Sequence, residues 1–270
     1  MTETDIYLHR LVESNPLREP LLRSVIQALR FPKGSKGLDA GCGIGLQALL
    51  LAEAIGPTGH VTGIDLSARF IRHAEEKVAE SRLSEQISFQ EGDVSKLPFG
   101  DNTFDWVWSV DCVGYPVGDH LSLLRELARV VRPGGTVAIL GWSSQYLLPG
   151  YPLLEARLNA TCSGFSPYIK GNLPESHFMR VLGWFGKAGL VKPEVKTFIG
   201  DIQTPLNDDI RTAVISLFQM LWGELQSGVS QEDWAEYQRL CKPESPDFIL
   251  DVSGYYGFFT YSMFRGKVLG

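Results

Sequence analysis

Residues 38–45 read Leu38-Asp39-Ala40-Gly41-Cys42-Gly43-Ile44-Gly45, and the fold turns on what flanks them. A short apolar run at Gly37–Ala40 enters this glycine cluster. Beyond it, Leu46–Ile55 is apolar nearly all round and stops at Gly56-Pro57. The pattern predicts a strand, a tight turn and a buried helix. Glycines at such a junction let the backbone approach a ligand closely and aim the first helical amides at its polar groups. Here the spacing is GxGxG, with Asp39 two residues before the first glycine, and it departs from the GxGxxG of dinucleotide sites. This tilts the reading away from a nicotinamide cofactor and leaves an acidic residue placed to meet positive charge.

The alternation continues downstream. His60–Asp65 reads as a second strand, and Ser67 caps a helix in which Phe70, Ala74 and Val78 recur every four residues. Ile87–Glu91 and Phe104–Val110 read as the third and fourth strands. Leu121, Leu124, Leu127 and Val131 form a helical stripe that Arg132-Pro133-Gly134-Gly135 ends before a fifth strand, Thr136–Leu140. Strands alternating with crossover helices predict an α/β, doubly wound sheet. Upstream, Leu17, Leu21, Leu22, Val25, Ile26 and Leu29 predict an amphipathic helix over residues 16–30. Residues 143–180, with Pro149, Pro152, Pro167 and Pro174, read as a covering segment. A helix over 176–188, a strand at Val195–Ile199, helical residues 207–241 and a last strand at Phe258–Phe264 complete the chain.

The composition, 270 residues with 44% hydrophobic and 21% charged positions, is enough for a core without disulfides or metals. A net charge of -6 and the lack of basic clusters argue against a nucleic-acid partner. Cys42, Cys112, Cys162 and Cys241 lack paired metal-ligand spacing, and the five histidines form no HxxxH pair, so no metal site is expected. The first residues lack the pattern of a secretory leader and no run is long enough for a membrane span, so a cytoplasmic protein without membrane insertion is expected.

Two further carboxylates stand at successive strand ends. Asp65 lies 20 residues after Gly45, where a carboxylate can accept bonds from both hydroxyls of a ribose. Asp93 lies in Gly92-Asp93-Val94, after the third strand. Ligands of open α/β sheets collect outside such strand ends.

Taken in order, LDAGCGIG, GIDLS, EGDVSKLPF, FDWVWSVD and ELARVVRPGGTVAIL resemble the motif set of class I S-adenosylmethionine-dependent methyltransferases over about residues 37–142. The likeness is to the small-molecule type, near the C-methyltransferases of ubiquinone and menaquinone biosynthesis. It implies a Rossmann-like sheet of seven strands, mostly parallel with an antiparallel last strand, carrying helical lid insertions. It also implies one methyltransferase domain over 1–270, with an N-terminal helical cap (1–36), a cofactor core (37–142) and lids at 143–180 and 203–250. On this reading Asp39, Gly41, Cys42, Gly43 and Gly45 neighbour the methionine part of S-adenosyl-L-methionine, and Asp65 holds its ribose. Leu66 lies by the adenine, Asp93 accepts its amino group, and Val94 offers an amide to a ring nitrogen. Ser109 to Asp111 pass beside the methionine part.

The implied activity is methyl transfer to an O, N or C nucleophile of a small molecule. The alternatives are a regulatory module that binds the cofactor without catalysis, and a tRNA or protein methyltransferase. The NPPY signature of many amino-methylating enzymes is replaced by Asp111-Cys112-Val113-Gly114. No catalytic residue stands out, as suits a cofactor that arrives already activated. Cys42 reads as a small residue that fits its turn, and most of the late aromatic residues read as core packing.

Overall fold

A computed structural model describes residues 3–113, 119–161, 177–224 and 228–270. Seven strands form one sheet: β1 (Lys36–Ala40), β2 (His60–Asp65), β3 (Ile87–Glu91), β4 (Phe104–Val110), β5 (Val131–Tyr146), β6 (Leu190–Gln203) and β7 (Tyr256–Val268), in the order β3-β2-β1-β4-β5-β7-β6. The pairs β1/β2, β1/β4, β2/β3 and β4/β5 are parallel. Strand β7 runs the other way. Along it, Lys267 bonds Thr136 and Thr260 bonds Ser143, so the numbering of β7 falls as that of β5 rises. Arg265 on Glu194 and Ser262 on Thr197 show the same reversal against β6. The seven-stranded, mostly parallel sheet with an antiparallel last strand is therefore the observed fold.

The helices are α1 (Glu3–Leu29), α2 (Leu46–Ile55), α3 (Ala68–Ala79), α4 (His120–Arg129), α5 (Pro152–Thr161), α6 (Val181–Lys187), α7 (Asp208–Trp222) and α8 (Gln231–Cys241). The Ser67 cap expected from the sequence is present, accepting from Phe70 N at 3.3 Å, and Asp119 caps α4 in the same way, accepting from Leu121 N at 3.0 Å. Among the described residues no helix is long and apolar enough to cross a membrane.

Three expectations are corrected. Helix α1 begins at Glu3 and continues through Pro16 and Pro20. Proline removes a ladder donor and crowds the preceding turn. Near the first proline the local side chains bond within the helix, Ser14 Oγ donating to Leu11 O at 3.3 Å and Asn15 Nδ2 to Glu19 Oε2 at 2.9 Å. Strand β5 starts at Val131, because Arg132-Pro133-Gly134-Gly135 is a bulge inside the strand: Phe104 pairs with Val131 and Trp106 next with Thr136. Strand β6 is longer than Val195–Ile199 at both ends. Cys162, Gly114, Ser176 and residues 162–176 of the covering segment lie outside the described residues.

The residues gather into two compact units. One comprises Leu22–Gly141, Leu173–Phe198 and Ser262–Gly270; the other comprises Met1–Leu21, Trp142–Asn172 and Ile199–Tyr261. In the first, Leu38, Ala40, Val107, Leu124, Leu127 and Ile139 are buried together on one face of the sheet. In the second, the core is aromatic and threaded by polar bonds. Trp142 Nε1 donates to Gln145 at 2.7 Å, Gln145 Nε2 to Asn159 at 2.8 Å, and Trp222 Nε1 to the same Asn159 oxygen at 3.0 Å. The buried Trp222 indole and the half-buried Trp142 indole both find acceptors in this network.

Candidate cofactor site

The site is built where β1 ends. The amides of Gly41 and Cys42 both donate to Ile64 O, at 2.8 and 3.0 Å, which pins the turn to the end of β2. Gly45 N then donates to Cys42 O at 3.0 Å. Two of the glycines do different work. Gly45 has φ 77°, and a Cβ there would lie 2.8 Å from Ala74 Cβ and from Phe89 Cζ, so it serves close packing. Gly43 has φ 54° and a Cβ there would meet nothing within 4 Å, so it faces open space.

Asp65 locks the two loops together. Its Oδ2 accepts from Gly43 N and its Oδ1 from Ser67 N, both at 2.9 Å. A carboxylate offers about four lone-pair sites, so each oxygen keeps one for a further donor. Two spare acceptors on one rigid carboxylate suit a vicinal diol. The backbone carbonyl of Asp65 accepts from Gly92 N at 2.9 Å, which brings the segment after β3 to the same place. There Asp93 is exposed, and the amide of Ser95, 2.7 Å from its Oδ1, holds the carboxyl below its usual range. Val94 is half-buried against the core, while Leu66 is 73% exposed, an apolar side chain held out beside the turn.

The remaining expected residues lie on the β4 side. Ser109 is fully buried and its hydroxyl donates to Ala40 O at 2.7 Å, bracing the turn from behind. Asp111 sits at φ 49° with its amide on Leu140 O at 3.0 Å. Cys42 is buried, and burial together with Asp39 and Asp65 pushes its thiol far above the usual range, so it is inert as a nucleophile. His120 is buried and stacked on Trp184 with ring centroids 4.7 Å apart, which is packing.

Asp39 is the electrostatic centre. It is 2% exposed, its Oδ2 has no partner among the described residues, and burial, reinforced by Asp65, raises its pKa from 3.8 to about 8. A buried carboxyl in this state gains from any cation or strong donor that reaches it. An orphaned acceptor, a diol-ready carboxylate and an open glycine thus converge on one end of β1. The structure brings Asp39, Gly41, Cys42, Gly43, Gly45 and Asp65 together around the turn, and ties Gly92, next to Asp93, to the same end of β2. Sequence reading passed over Trp108, treating it only as part of an aromatic strand. Its indole donor is a clue that burial alone reveals.

Comparison with known proteins bears on the family and the fold. A family described as a methyltransferase domain matches residues 38–135. The demethylmenaquinone methyltransferase of Halalkalibacterium halodurans is 33% identical over 229 residues, covering 74% of this chain and 91% of that protein. The enzyme of the same name from Listeria monocytogenes is 37% identical over 132 residues, covering 48% of this chain and 53% of the relative, so the chain spans about half the length of the Listeria relatives it matches. Among solved structures, a SAM-dependent methyltransferase from Aquifex aeolicus superposes with a TM-score of 0.53 at 19% identity, covering 97% of this chain and 99% of that one, and shares the fold. With a relative this similar along nearly its whole length, the chain belongs to the class I S-adenosylmethionine-dependent methyltransferases, the family that includes the demethylmenaquinone methyltransferases.

Proposed function

We propose that this chain catalyses methyl transfer from S-adenosylmethionine to a nucleophilic atom of a small molecule. The observation that carries the reading is the Asp65 carboxylate, fixed by Gly43 N and Ser67 N with one acceptor site left on each oxygen. In this reading Asp65 takes the two ribose hydroxyls, and Asp39 faces the ammonium of the methionine part. Gly41, Cys42, Gly43 and Gly45 lend backbone to that end, with Ser109 and Asp111 beside it. Leu66 covers the adenine, Asp93 accepts its amino group and the Val94 amide meets a ring nitrogen. The names of the relatives support a small-molecule acceptor.

S-adenosylmethionine supplies a methyl group already activated on a sulfonium. The work left to the chain is to hold the sulfonium in line with the acceptor and to keep water away. Residues 1–30, 143–180 and 203–250 are proposed to cover the acceptor during transfer. The buried, unpaired thiols of Cys42 and Cys241 suit a reducing compartment, and the cytoplasm is the proposed location.

Isothermal titration with S-adenosylmethionine tests the reading. Wild type is expected to bind, and Asp65→Ala to weaken binding about a hundredfold by removing two hydrogen bonds to a charged acceptor. No binding by wild type, or unchanged binding by the variant, defeats it. Turnover to S-adenosylhomocysteine on addition of acceptor separates the enzyme from a module that only binds the cofactor.

A further inference from the structure

Asp39 has a counterpart across the sheet. Trp108, in β4, is fully buried and its Nε1–H finds no acceptor among the described residues. Trp106, two residues earlier, gives its Nε1–H to Ser35 Oγ at 2.8 Å. Strands β1 and β4 are parallel, with Gly37 paired to Trp106 and Asp39 paired to Trp108. Laterally paired residues project to the same face of a sheet. An unpaired acceptor, Asp39 Oδ2, and an unpaired donor, Trp108 Nε1, therefore belong to neighbouring residues on one face, both closed to solvent. They do not satisfy each other, because neither has a partner.

Buried polar groups without partners are rare and costly, and two of opposite sense on adjacent residues form a pattern. An acceptor beside a donor is the complement of an α-amino acid zwitterion, whose ammonium donates and whose carboxylate accepts. The segments that build the site, Leu38–Ser67 and Phe104–Val113, contain no lysine or arginine. To a carboxylate, these two segments therefore offer neutral donors.

We propose that Trp108 is a cofactor-binding residue whose indole N–H donates to the methionine carboxylate of S-adenosylmethionine while Asp39 takes the ammonium. The inference rests on the cofactor assignment above. It makes Asp39 and Trp108 a paired reader of the amino-acid end, and it makes the carboxylate, not only the sulfonium and adenosine, a determinant of affinity.

The test compares S-adenosylmethionine with its decarboxylated analogue by titration calorimetry, for wild type, Trp108→Phe and Trp106→Phe. Losing one hydrogen bond to a charged group is expected to weaken S-adenosylmethionine binding to Trp108→Phe about tenfold, with the decarboxylated analogue unaffected. The ratio of the two affinities falls accordingly, and Trp106→Phe keeps the wild-type ratio. In wild type labelled with 15N at tryptophan, the Trp108 indole proton is expected to shift downfield with S-adenosylmethionine and to stay in place with the analogue. That measurement decides the matter if Trp108→Phe does not fold. An unchanged ratio, or an indole resonance indifferent to the carboxylate, overturns the inference while leaving the cofactor assignment intact. Failure of wild type to bind either compound overturns both.

Discussion

Changing the pH, or replacing Asp39 with Asn, is expected to alter both cofactor affinity and the stability of the free protein. The folded pKa of Asp39 is raised from 3.8 to about 8, chiefly by burial. An ammonium is best received by the ionised carboxylate, so below pH 8 binding must first expel a proton. Apparent affinity is then expected to rise about tenfold per pH unit from pH 5.5 to 7, and to level near pH 8. The ligand's own α-amino group loses its proton around the same pH, about 7.7–8.0, which helps to flatten the profile there.

Stability runs in the opposite direction. The neutral carboxyl's contribution is fully present below pH 3.8 and is lost as pH rises through that value towards about 8. At pH 7 the accumulated cost is about 4 kcal/mol as an upper bound, since each pKa unit corresponds to about 1.4 kcal/mol. Asp39→Asn has no proton to lose. It is expected to flatten both profiles, to stabilise the free protein at pH 7–8, and to weaken S-adenosylmethionine about tenfold or more at pH 8 by losing the charge. Calorimetric titrations in buffers of different ionisation enthalpy count the released proton directly, and thermal denaturation from pH 5 to 8.5 follows stability. A wild-type affinity that is flat between pH 5.5 and 7, with no proton released, refutes the reasoning.

Gly45→Ala is expected to cost about 2–5 kcal/mol in denaturant unfolding, because a left-handed backbone strain adds to overpacking against Ala74 and Phe89; a loss under about 1 kcal/mol, far below either contribution, counts against that packing. Gly43→Ala has the same backbone strain and no clash, so its stability loss should be only about 1–2 kcal/mol. Its Cβ enters the open side of the turn, and titration calorimetry should show S-adenosylmethionine affinity falling by more than that loss. Trp106→Phe removes the bond to Ser35 and should lower stability by about 1–3 kcal/mol while leaving cofactor affinity unchanged, as titration and melting of the same sample will show.

Much of the first unit was legible because periodicity and punctuation agreed there. His60–Asp65, Ile87–Glu91 and Phe104–Val110 have the same limits in sequence and in structure. The bulge at Arg132-Pro133-Gly134-Gly135 was not legible, since residues that normally end an element were absorbed into the ladder between β4 and β5. The first half of helix α1, residues 3–15, was not legible because the apolar stripe that marks the helix starts only at Leu17. For the site, the spacing of Asp39, Asp65 and Asp93 was visible along the chain. The contrast between them was not. Asp65 is satisfied by two amides and Asp39 by none at Oδ2, a difference that depends on how β1, β2 and β4 lie against one another.

The order β5-β7-β6 sets a schedule for folding. Strand β6 has only β7 as its neighbour in the sheet, and β7 is read later in the sequence by more than fifty residues. During synthesis, residues 190–203 must therefore wait, unpaired on both edges, until residues 256–268 have emerged and can be threaded between them and β5. Sheet completion depends on a long loop closing rather than on a local hairpin, which places it among the slow, non-local steps of folding. The five-strand block from β3 to β5 has no such dependence. It can assemble first, with β6 exposed to wrong pairing in the interval and β7 closing the gap last.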